Sequence, residues 1–120
     1  NAKPVSMKAS LDLLSQAGTR KVAILGDMFE LGENSDEVHR SVGRYAAELQ
    51  PELLICIGKN SRFIYEGAAQ ESGHSMKCYH FDTKEDFLGK KNELLRPGDA
   101  ILIKASHGMA FETLIKELVD

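Results

Sequence analysis

Apolar residues follow two patterns along the chain, and the two patterns alternate. Short continuous apolar runs predict buried strands of a parallel sheet, because helices cover both faces of such a sheet. Four such runs are present, at residues 21–26, 53–58, 76–81 and 100–104. Apolar residues at helical spacing predict amphipathic helices around them. These helices are predicted over Pro4–Ala17, from Asn34 through Leu49, from Ser61 towards Gly73, from Thr83 through Leu95 and from Phe111 to Val119.

Polar residues mark where the helices begin and end. Asn34 with Glu37, and Thr83 with Asp86, have the spacing of a capping box, in which two side chains satisfy backbone N–H groups of the first turn. The dipeptide Pro97-Gly98 is expected to end the fourth helix. The last helix carries one apolar stripe, formed by Phe111, Leu114, Ile115, Leu118 and Val119.

The order of elements is αβαβαβαβα, and it predicts a Rossmann-like α/β fold. In this fold right-handed crossovers place helices on both faces of a mostly parallel sheet, which gives a three-layer sandwich. All 120 residues are interpreted as one domain, 1–120. Because the chain opens with a helix, and residues 1–4 are typical of a strand-to-helix loop, we expect a further strand upstream and interpret the chain as a fragment of a longer protein.

Composition excludes several classes of protein. Hydrophobic residues make up 42% of the chain and the net charge is −3, so neither a disordered protein nor a generally basic nucleic-acid binder is expected. The apolar runs are far shorter than the roughly 20 residues that span a bilayer, so no membrane association is expected. Cys56 and Cys78 both lie in predicted strands, and they are interpreted as reduced thiols of a cytoplasmic protein rather than as a disulfide or metal ligands.

The loop after the first strand, residues 27–34, is a candidate for chemistry because ligands of open parallel sheets bind beyond the carboxyl ends of the strands. It is longer than an ordinary connector and contains three carboxylates with three large apolar side chains. One interpretation is a binding loop. The other is a packed loop in which Met28 and Leu31 cover the core and the carboxylates cap the next helix.

The loop after the last strand is a second candidate. Lys104, Ser106 and His107 precede the final helix, and free N–H groups at a helix N-terminus attract anions, so a carboxylate or phosphate site is one interpretation. In the other, Lys104 lies along the surface, Ser106 caps the helix and His107 is solvated.

Strong catalytic and nucleotide-binding motifs are missing. Neither G-x-G-x-x-G nor G-x-x-x-x-G-K-[ST] occurs, so no phosphate cradle is expected. The four histidines lack the spacing of a metal site, and no nucleophile can be paired with a base. We therefore expect no catalytic residue and no metal ligand here. His39, in the second helix, is interpreted as a surface or loop-bracing residue rather than as a base.

Three strings nevertheless resemble the Mur ligase family. Residues 22–33, Val-Ala-Ile-Leu-Gly-Asp-Met-Phe-Glu-Leu-Gly-Glu, with His39 and then Val42-Gly43, resemble a signature of that family. Asn-Ala-Lys-Pro at 1–4 with Ser6-Met7 resembles the start of the family's C-terminal domain. Residues 102–109, Leu-Ile-Lys-Ala-Ser-His-Gly-Met, with Glu112, resemble its last strand, loop and helix. The resemblance covers essentially the whole chain.

The resemblance implies an ATP-dependent ligase of bacterial cell-wall (peptidoglycan) biosynthesis in the cytoplasm. Such an enzyme joins D-alanyl-D-alanine to UDP-N-acetylmuramoyl-tripeptide through an acyl phosphate. It also has an N-terminal domain and a central P-loop domain, which would be this chain's partners and would bind most of the ATP and Mg²⁺. The chain alone would then be inactive and would bind no cofactor tightly. The alternatives are a free-standing Rossmann-like ligand-binding module and a receiver-like signalling domain, and no nucleic-acid partner is expected in any case.

The loops and the resemblance together give a set of candidate site residues. The residues expected to bind the dipeptide are Lys104, Ser106, His107 and Met109. The residues expected to meet the nucleotide or to face the cleft are Asn1, Ala2, Lys3, Asp27, Met28, Leu31, Asn60 and Ser61. Lys3 stands where the family often has Asn, and His107 where Arg is frequent. A histidine lacks the two-pronged guanidinium that binds a carboxylate in bidentate fashion.

Overall fold

The computed structural model describes residues 2–71, 73 and 75–118, which form six helices and four strands. The helices are α1 (Pro4–Leu14), α2 (Ser35–Leu49), α3 (Ser61–Gln70), α4 (Lys84–Leu88), α5 (Lys91–Leu94) and α6 (Glu112–Leu118). The strands are β1 (Lys21–Gly26), β2 (Leu53–Ile57), β3 (Lys77–Phe81) and β4 (Ala100–Lys104). Two short 3₁₀ turns, Gly32–Asn34 and His107–Met109, precede α2 and α6.

All four strands run parallel in one sheet, in the order β3-β2-β1-β4. At the centre of the sheet, Ile24 lies between Ile55 of β2 and Ile103 of β4. The chain moves outwards from β1 to β3 and then crosses to the other side of β1. This arrangement confirms the predicted α/β fold with a parallel sheet.

The core is divided by the sheet into two clusters of apolar side chains, in which successive residues of β1 alternate between the two faces. On the first face, Ala23 and Leu25 pack with helices α1, α2 and α3. On the second face, Val22 and Ile24 pack with the shorter helices α4, α5 and α6. The predicted three layers are therefore present. None of the helices in the described part of the chain is long and apolar enough to cross a bilayer.

Helices α2 and α3 contact each other backbone to backbone through two glycines. A Cβ atom placed on Gly43 would overlap the carbonyl oxygen of Ile64, and one placed on Gly67 would overlap the carbonyl oxygen of Arg40. No other residue type fits at either position without moving a helix. The contact makes α2 and α3 one rigid layer beneath the loops that follow β1 and β2.

The single helix predicted from Thr83 through Leu95 is wrong, because the structure has two short helices there. The predicted cap is present, since the hydroxyl of Thr83 accepts a hydrogen bond from the N–H of Asp86 at 3.1 Å. The first helix ends at Leu88 and is followed by Gly89, a residue with low helix propensity. Leu95 follows the second helix in extended conformation, so it does not share a helical face with Leu88.

Three helix ends differ from their predictions. Helix α1 ends at Leu14 rather than Ala17, and the following N–H groups make tighter bonds to carbonyls three residues back. Asn34 makes no cap hydrogen bond, because its backbone is not extended as a capping residue requires. In α6, the side chain of Ile115 is 47% exposed and does not belong to the buried stripe. Val119 lies outside the described residues.

Both cysteines are free, as predicted, although only Cys56 is fully buried and Cys78 is half-buried. Burial disfavours the thiolate, so it raises the pKa of Cys78 and raises that of Cys56 well above its usual value. Because the thiolate is the nucleophile, a disulfide reagent at pH 8 should modify Cys78 first and Cys56 only at the rate of unfolding. Mass spectrometry of the labelled peptides over time would measure this order. Equal labelling rates for the two residues in the folded protein would contradict it.

The strand expected upstream of residue 1 stays a prediction, but the topology specifies its place. Helix α1 packs on the first face, against β1 and β4. A right-handed crossover through α1 into β1 would start from a parallel strand on the β4 side of the sheet. Since β4 already occupies the place next to β1, the expected strand would lie beside the outer edge of β4.

Candidate functional site

Asp27, the first residue after β1, holds the loop between β2 and α3 through Ser61, the first residue of α3. Its carboxylate accepts hydrogen bonds from the Ser61 N–H at 2.7 Å and from the Ser61 hydroxyl at 2.8 Å. The positive end of the α3 dipole favours this negative charge. Gly58 provides the space, since its φ is +123° and a Cβ there would lie 2.5 Å from the Asp27 Oδ1. Asp27 and Ser61 were expected to face the cleft, but both are buried and bonded to each other.

Met28 is a core residue, which contradicts the expectation that it faces the cleft. Its side chain is 1% exposed and packs in the cluster on the first face, where Leu31 also contacts the core. The packed-loop interpretation is therefore correct for these two side chains. The N–H of Met28 donates to the Nε2 of His39 at 3.1 Å. His39 therefore braces the loop, which is one of the two roles predicted for it.

Phe29 and Ser106 join the loop after β1 to the loop after β4. The N–H of Phe29 donates to the Ser106 hydroxyl at 2.7 Å, and the N–H of Ser106 donates to the carbonyl of Asp27 at 2.9 Å. The Phe29 ring lies against Gly108, where a Cβ would be 2.9 Å from the ring. The side chain of Phe29 remains 38% exposed. The two loops thus form one continuous wall.

This wall borders a cleft of about 220 Å³ at the carboxyl ends of the strands. The lining residues are Ala2, Lys3, Phe29, Glu30, Ser106, His107 and Gly108. The cleft therefore combines a cation, a carboxylate, an imidazole and an aromatic ring. Glu30 has a φ of +61°, in the left-handed region that non-glycine residues seldom adopt and that is often found at functional sites.

The cleft contains part of the predicted site and adds residues to it. Lys3, Ser106 and His107 are brought together, as the strand-end argument required. Ala2 also lines the cleft, although its side chain is almost wholly buried. Phe29 and Glu30 were not among the candidates, and their place in the long strand-end loop was the signal that could have identified them.

The loop after β4 does not lead directly into the last helix, at whose N-terminus one interpretation placed an anion site. Residues 107–109 form a 3₁₀ turn, Ala110 adopts φ +54°, and α6 begins only at Glu112 with that carboxylate in its first turn. The helix start is therefore separated from Ser106 and is itself acidic. Met109, expected to bind the dipeptide, instead packs against the cluster on the second face.

The other predicted residues lie near the strand ends but outside the cleft lining. Lys104 is half-buried at the end of β4, where its backbone pairs with β1, and its ammonium group forms no ion pair or hydrogen bond with the residues that the structure describes. Asn60 precedes α3 and is half-buried, without a side-chain cap bond. Asn1 lies outside the described residues.

The described residues contain no cluster that could hold the Mg²⁺ which the resemblance assigns mainly to the central domain. Within residues 2–71, 73 and 75–118, no three His, Cys, Asp or Glu side chains come together as metal ligands. The one carboxylate buried at the strand ends, Asp27, already accepts two hydrogen bonds from Ser61.

Comparison with known proteins places this fold and cleft in one family. The family model described as "Mur ligase, glutamate ligase domain" matches residues 1–107. A UDP-N-acetylmuramoyl-tripeptide--D-alanyl-D-alanine ligase of Bacillus subtilis (strain 168) is 34% identical over 122 residues, which cover 100% of this chain and 26% of the relative. The enzyme of the same name from Mycobacterium leprae (strain TN) is 33% identical, covering 99% of this chain and 26% of the relative.

Solved structures agree with the sequence relatives. The crystal structure of MurF from Acinetobacter baumannii has a TM-score of 0.86 and 32% identity, and the match covers 98% of this chain and 25% of that one. MurF from Thermotoga maritima, solved in complex with ADP, has a TM-score of 0.77 at 24% identity and supports the fold alone. The chain spans about a quarter of the length of the curated relatives it matches. The match of the family model over residues 1–107, with relatives above 30% identity across the whole chain, shows that the chain belongs to the Mur ligase family.

Proposed function

We propose that this chain is the C-terminal domain of a ligase that joins D-alanyl-D-alanine to UDP-N-acetylmuramoyl-tripeptide, and that its cleft positions the dipeptide. The main support is the cleft itself, which brings Lys3, Glu30 and His107 together at the strand ends of a chain whose relatives carry that ligase name. Neither the free-standing binding module nor the signalling domain is favoured by these comparisons.

The cleft complements the chemistry of the dipeptide. D-alanyl-D-alanine has a terminal carboxylate, two methyl groups and an amine. We assign Lys3 and His107 to the carboxylate, because a charge-assisted hydrogen bond is roughly twice as strong as a neutral one. We assign the Phe29 ring to the methyl groups as an apolar surface, and the carboxylate of Glu30 to accept a hydrogen bond from the amine. Holding the amine in one orientation lowers the entropic cost of its attack on the tripeptide.

The rest of the reaction is assigned to the other parts of the longer protein. We assign most of the binding of ATP and Mg²⁺ to the central domain, and to this domain the binding and orientation of the dipeptide and the exclusion of water when it docks. The proposed partners are the N-terminal and central domains of the same enzyme, and the proposed location is the bacterial cytoplasm.

Kinetics of the ligase that contains this domain test the assignment. Lys3→Ala and His107→Ala should each raise the dipeptide KM about tenfold, because the net loss of one charge-assisted hydrogen bond is about 1.5 kcal/mol. The KM for ATP should change less than about twofold. His107→Arg should preserve or improve dipeptide use, since the guanidinium binds a carboxylate with two hydrogen bonds.

Two further lysines complete the experiment. Lys104→Ala tests the half-buried cation at the end of β4, which we expect to contribute to dipeptide binding through its charge. Lys90→Ala is the matched control, because Lys90 is an exposed lysine between α4 and α5. If Lys3→Ala, Lys104→Ala and His107→Ala all leave the dipeptide KM within twofold of the parent, the cleft does not bind the dipeptide.

A further inference from the structure

His39 is a fully buried histidine whose hydrogen bonds assign it one chemical form. The ring lies inside the molecule with 0% exposure, on the first turns of α2. Its Nδ1 lies 2.7 Å from the carbonyl oxygen of Ser35, which can only accept, so Nδ1 carries a proton. Its Nε2 lies 3.1 Å from the N–H of Met28, which can only donate, so Nε2 carries a lone pair. The ring is therefore neutral, with its proton on Nδ1.

The partner of His39 is a backbone group that has few alternatives. Met28 is almost wholly buried, so its N–H is sealed from water. A buried N–H without an acceptor is costly, and His39 supplies that acceptor from a different element of the fold. Helix α2 is in turn held against α3 by the contacts at Gly43 and Gly67. His39 thus ties the loop to the most rigid layer of the protein.

The two residues after Met28 form part of the cleft. Phe29 and Glu30 line it, and Glu30 holds the left-handed backbone conformation. On the other side, Ser106 bonds both the N–H of Phe29 and the carbonyl of Asp27. The segment from Asp27 to Phe29 is therefore held by Ser106 towards the cleft and by His39 towards the core. Removing the second tie would leave the Met28 N–H without its acceptor and loosen the segment that carries Phe29 and Glu30.

We propose that His39 is a positioning residue, which sets the place of Phe29 and Glu30 in the cleft through its bond to the Met28 N–H. His39 touches no substrate in this proposal. The effect on the dipeptide rests on the function proposed above, whereas the effect on the loop does not.

The first experiment measures the loop in the 120-residue chain by amide hydrogen exchange. Exchange of the Met28 amide is compared with that of Ile55 in the central strand β2, which reports the stability of the whole fold. In His39→Leu, which has no acceptor, Met28 should exchange at least about tenfold faster relative to Ile55. In His39→Gln the side-chain oxygen takes the place of Nε2, and the ratio should stay within about threefold of the parent. A general loss of stability would speed exchange at both amides and leave the ratio unchanged, whereas loss of the bond from Met28 to His39 would raise the ratio.

Two outcomes of this experiment would overturn the proposal. One is an unchanged ratio of Met28 to Ile55 exchange in His39→Leu. The other is a ¹⁵N spectrum in which the proton of the His39 ring resides on Nε2 in the parent chain, since that form cannot accept from Met28. The proposal is supported if the ratio of Met28 to Ile55 exchange rates rises in His39→Leu and returns towards the parent value in His39→Gln.

The second experiment connects the loop to the substrate in the ligase that contains this domain. His39→Leu should raise the dipeptide KM at least fivefold with the ATP KM within twofold, and His39→Gln should restore most of the loss. If Lys3→Ala raises the dipeptide KM but His39→Leu does not, the positioning role is wrong while the proposed function stands. If Lys3→Ala, Lys104→Ala and His107→Ala all leave the dipeptide KM within twofold of the parent, the cleft does not bind the dipeptide, and the exchange ratio alone decides whether His39 positions the loop.

Discussion

Gly67→Ala should lower the free energy of unfolding by about 2 kcal/mol. Alanine in a helix interior ordinarily stabilises by up to about 1 kcal/mol over glycine. Here the added methyl group overlaps the carbonyl of Arg40, and overpacking of a tight contact costs about 1–3 kcal/mol or more. The cost of the overlap is expected to exceed the gain in helix propensity, because both contacting groups belong to helices that would have to move apart. Urea denaturation of the parent and the variant measures the difference.

Gly89→Ala provides the matched control for this substitution. Gly89 has the right-handed helical conformation, and the nearest atom to an added Cβ is 3.6 Å away. Alanine there should stabilise by about 0.4–1 kcal/mol, mainly by restricting the unfolded chain. Gly43→Ala should behave like Gly67→Ala. A Gly67→Ala variant as stable as the parent would mean that α2 and α3 are farther apart than the structure has them.

Asp27→Ala should lower the free energy of unfolding by about 2–4 kcal/mol. The carboxylate accepts two hydrogen bonds from Ser61, each with a net value of about 1.5–3 kcal/mol for a charged acceptor, and part of this is recovered because a buried charge is removed. The loss should be accompanied by weaker dipeptide binding, because the segment whose backbone carbonyl accepts from Ser106 loses its anchor to Ser61. Urea denaturation gives the stability, and the dipeptide KM of the ligase gives the second effect.

Glu33→Ala separates this effect from a general change of charge. Glu33 is an exposed carboxylate in the same loop, and its removal should change the stability by no more than about 0.5 kcal/mol. Asp27→Asn retains the shape but weakens the acceptor, so it should fall between the parent and Asp27→Ala. Equal stabilities of Asp27→Ala and Glu33→Ala would contradict the assigned role of the buried carboxylate.

The strands could be predicted from the sequence more closely than the helix ends. β1 and β4 have the predicted bounds, because continuous apolar runs between turn residues have few other solutions in a parallel sheet. The break after α4 was not predicted, since apolar spacing on either side of Gly89 fits one helix as well as two. The contact at Gly43 and Gly67 depends on how two helices cross, which hydrophobic periodicity does not describe.

The candidate site could likewise be predicted only in part from the sequence. Lys3, Ser106 and His107 could be placed together because every strand of a parallel sheet ends at the same edge. The orientation of loop side chains could not be predicted, because loops lack a period that separates the core side from the cleft side. Met28 and Met109 were assigned to the site for this reason and are packed instead. The bond between Asp27 and Ser61 requires the strand order, which the sequence does not contain.

The unequal helices on the two faces of the sheet determine where the protein is most vulnerable to proteolysis. The first face is covered by helices of 11, 15 and 10 residues, the second by helices of 5, 4 and 7 residues. Such short helices persist only through their packing on the sheet. The helices on the second face therefore detach at a lower free energy than those on the first face. A protease will therefore cut first between α4 and β4, where the chain passes through Gly89 and Pro97-Gly98, while the cleft and the layer that supports it remain folded.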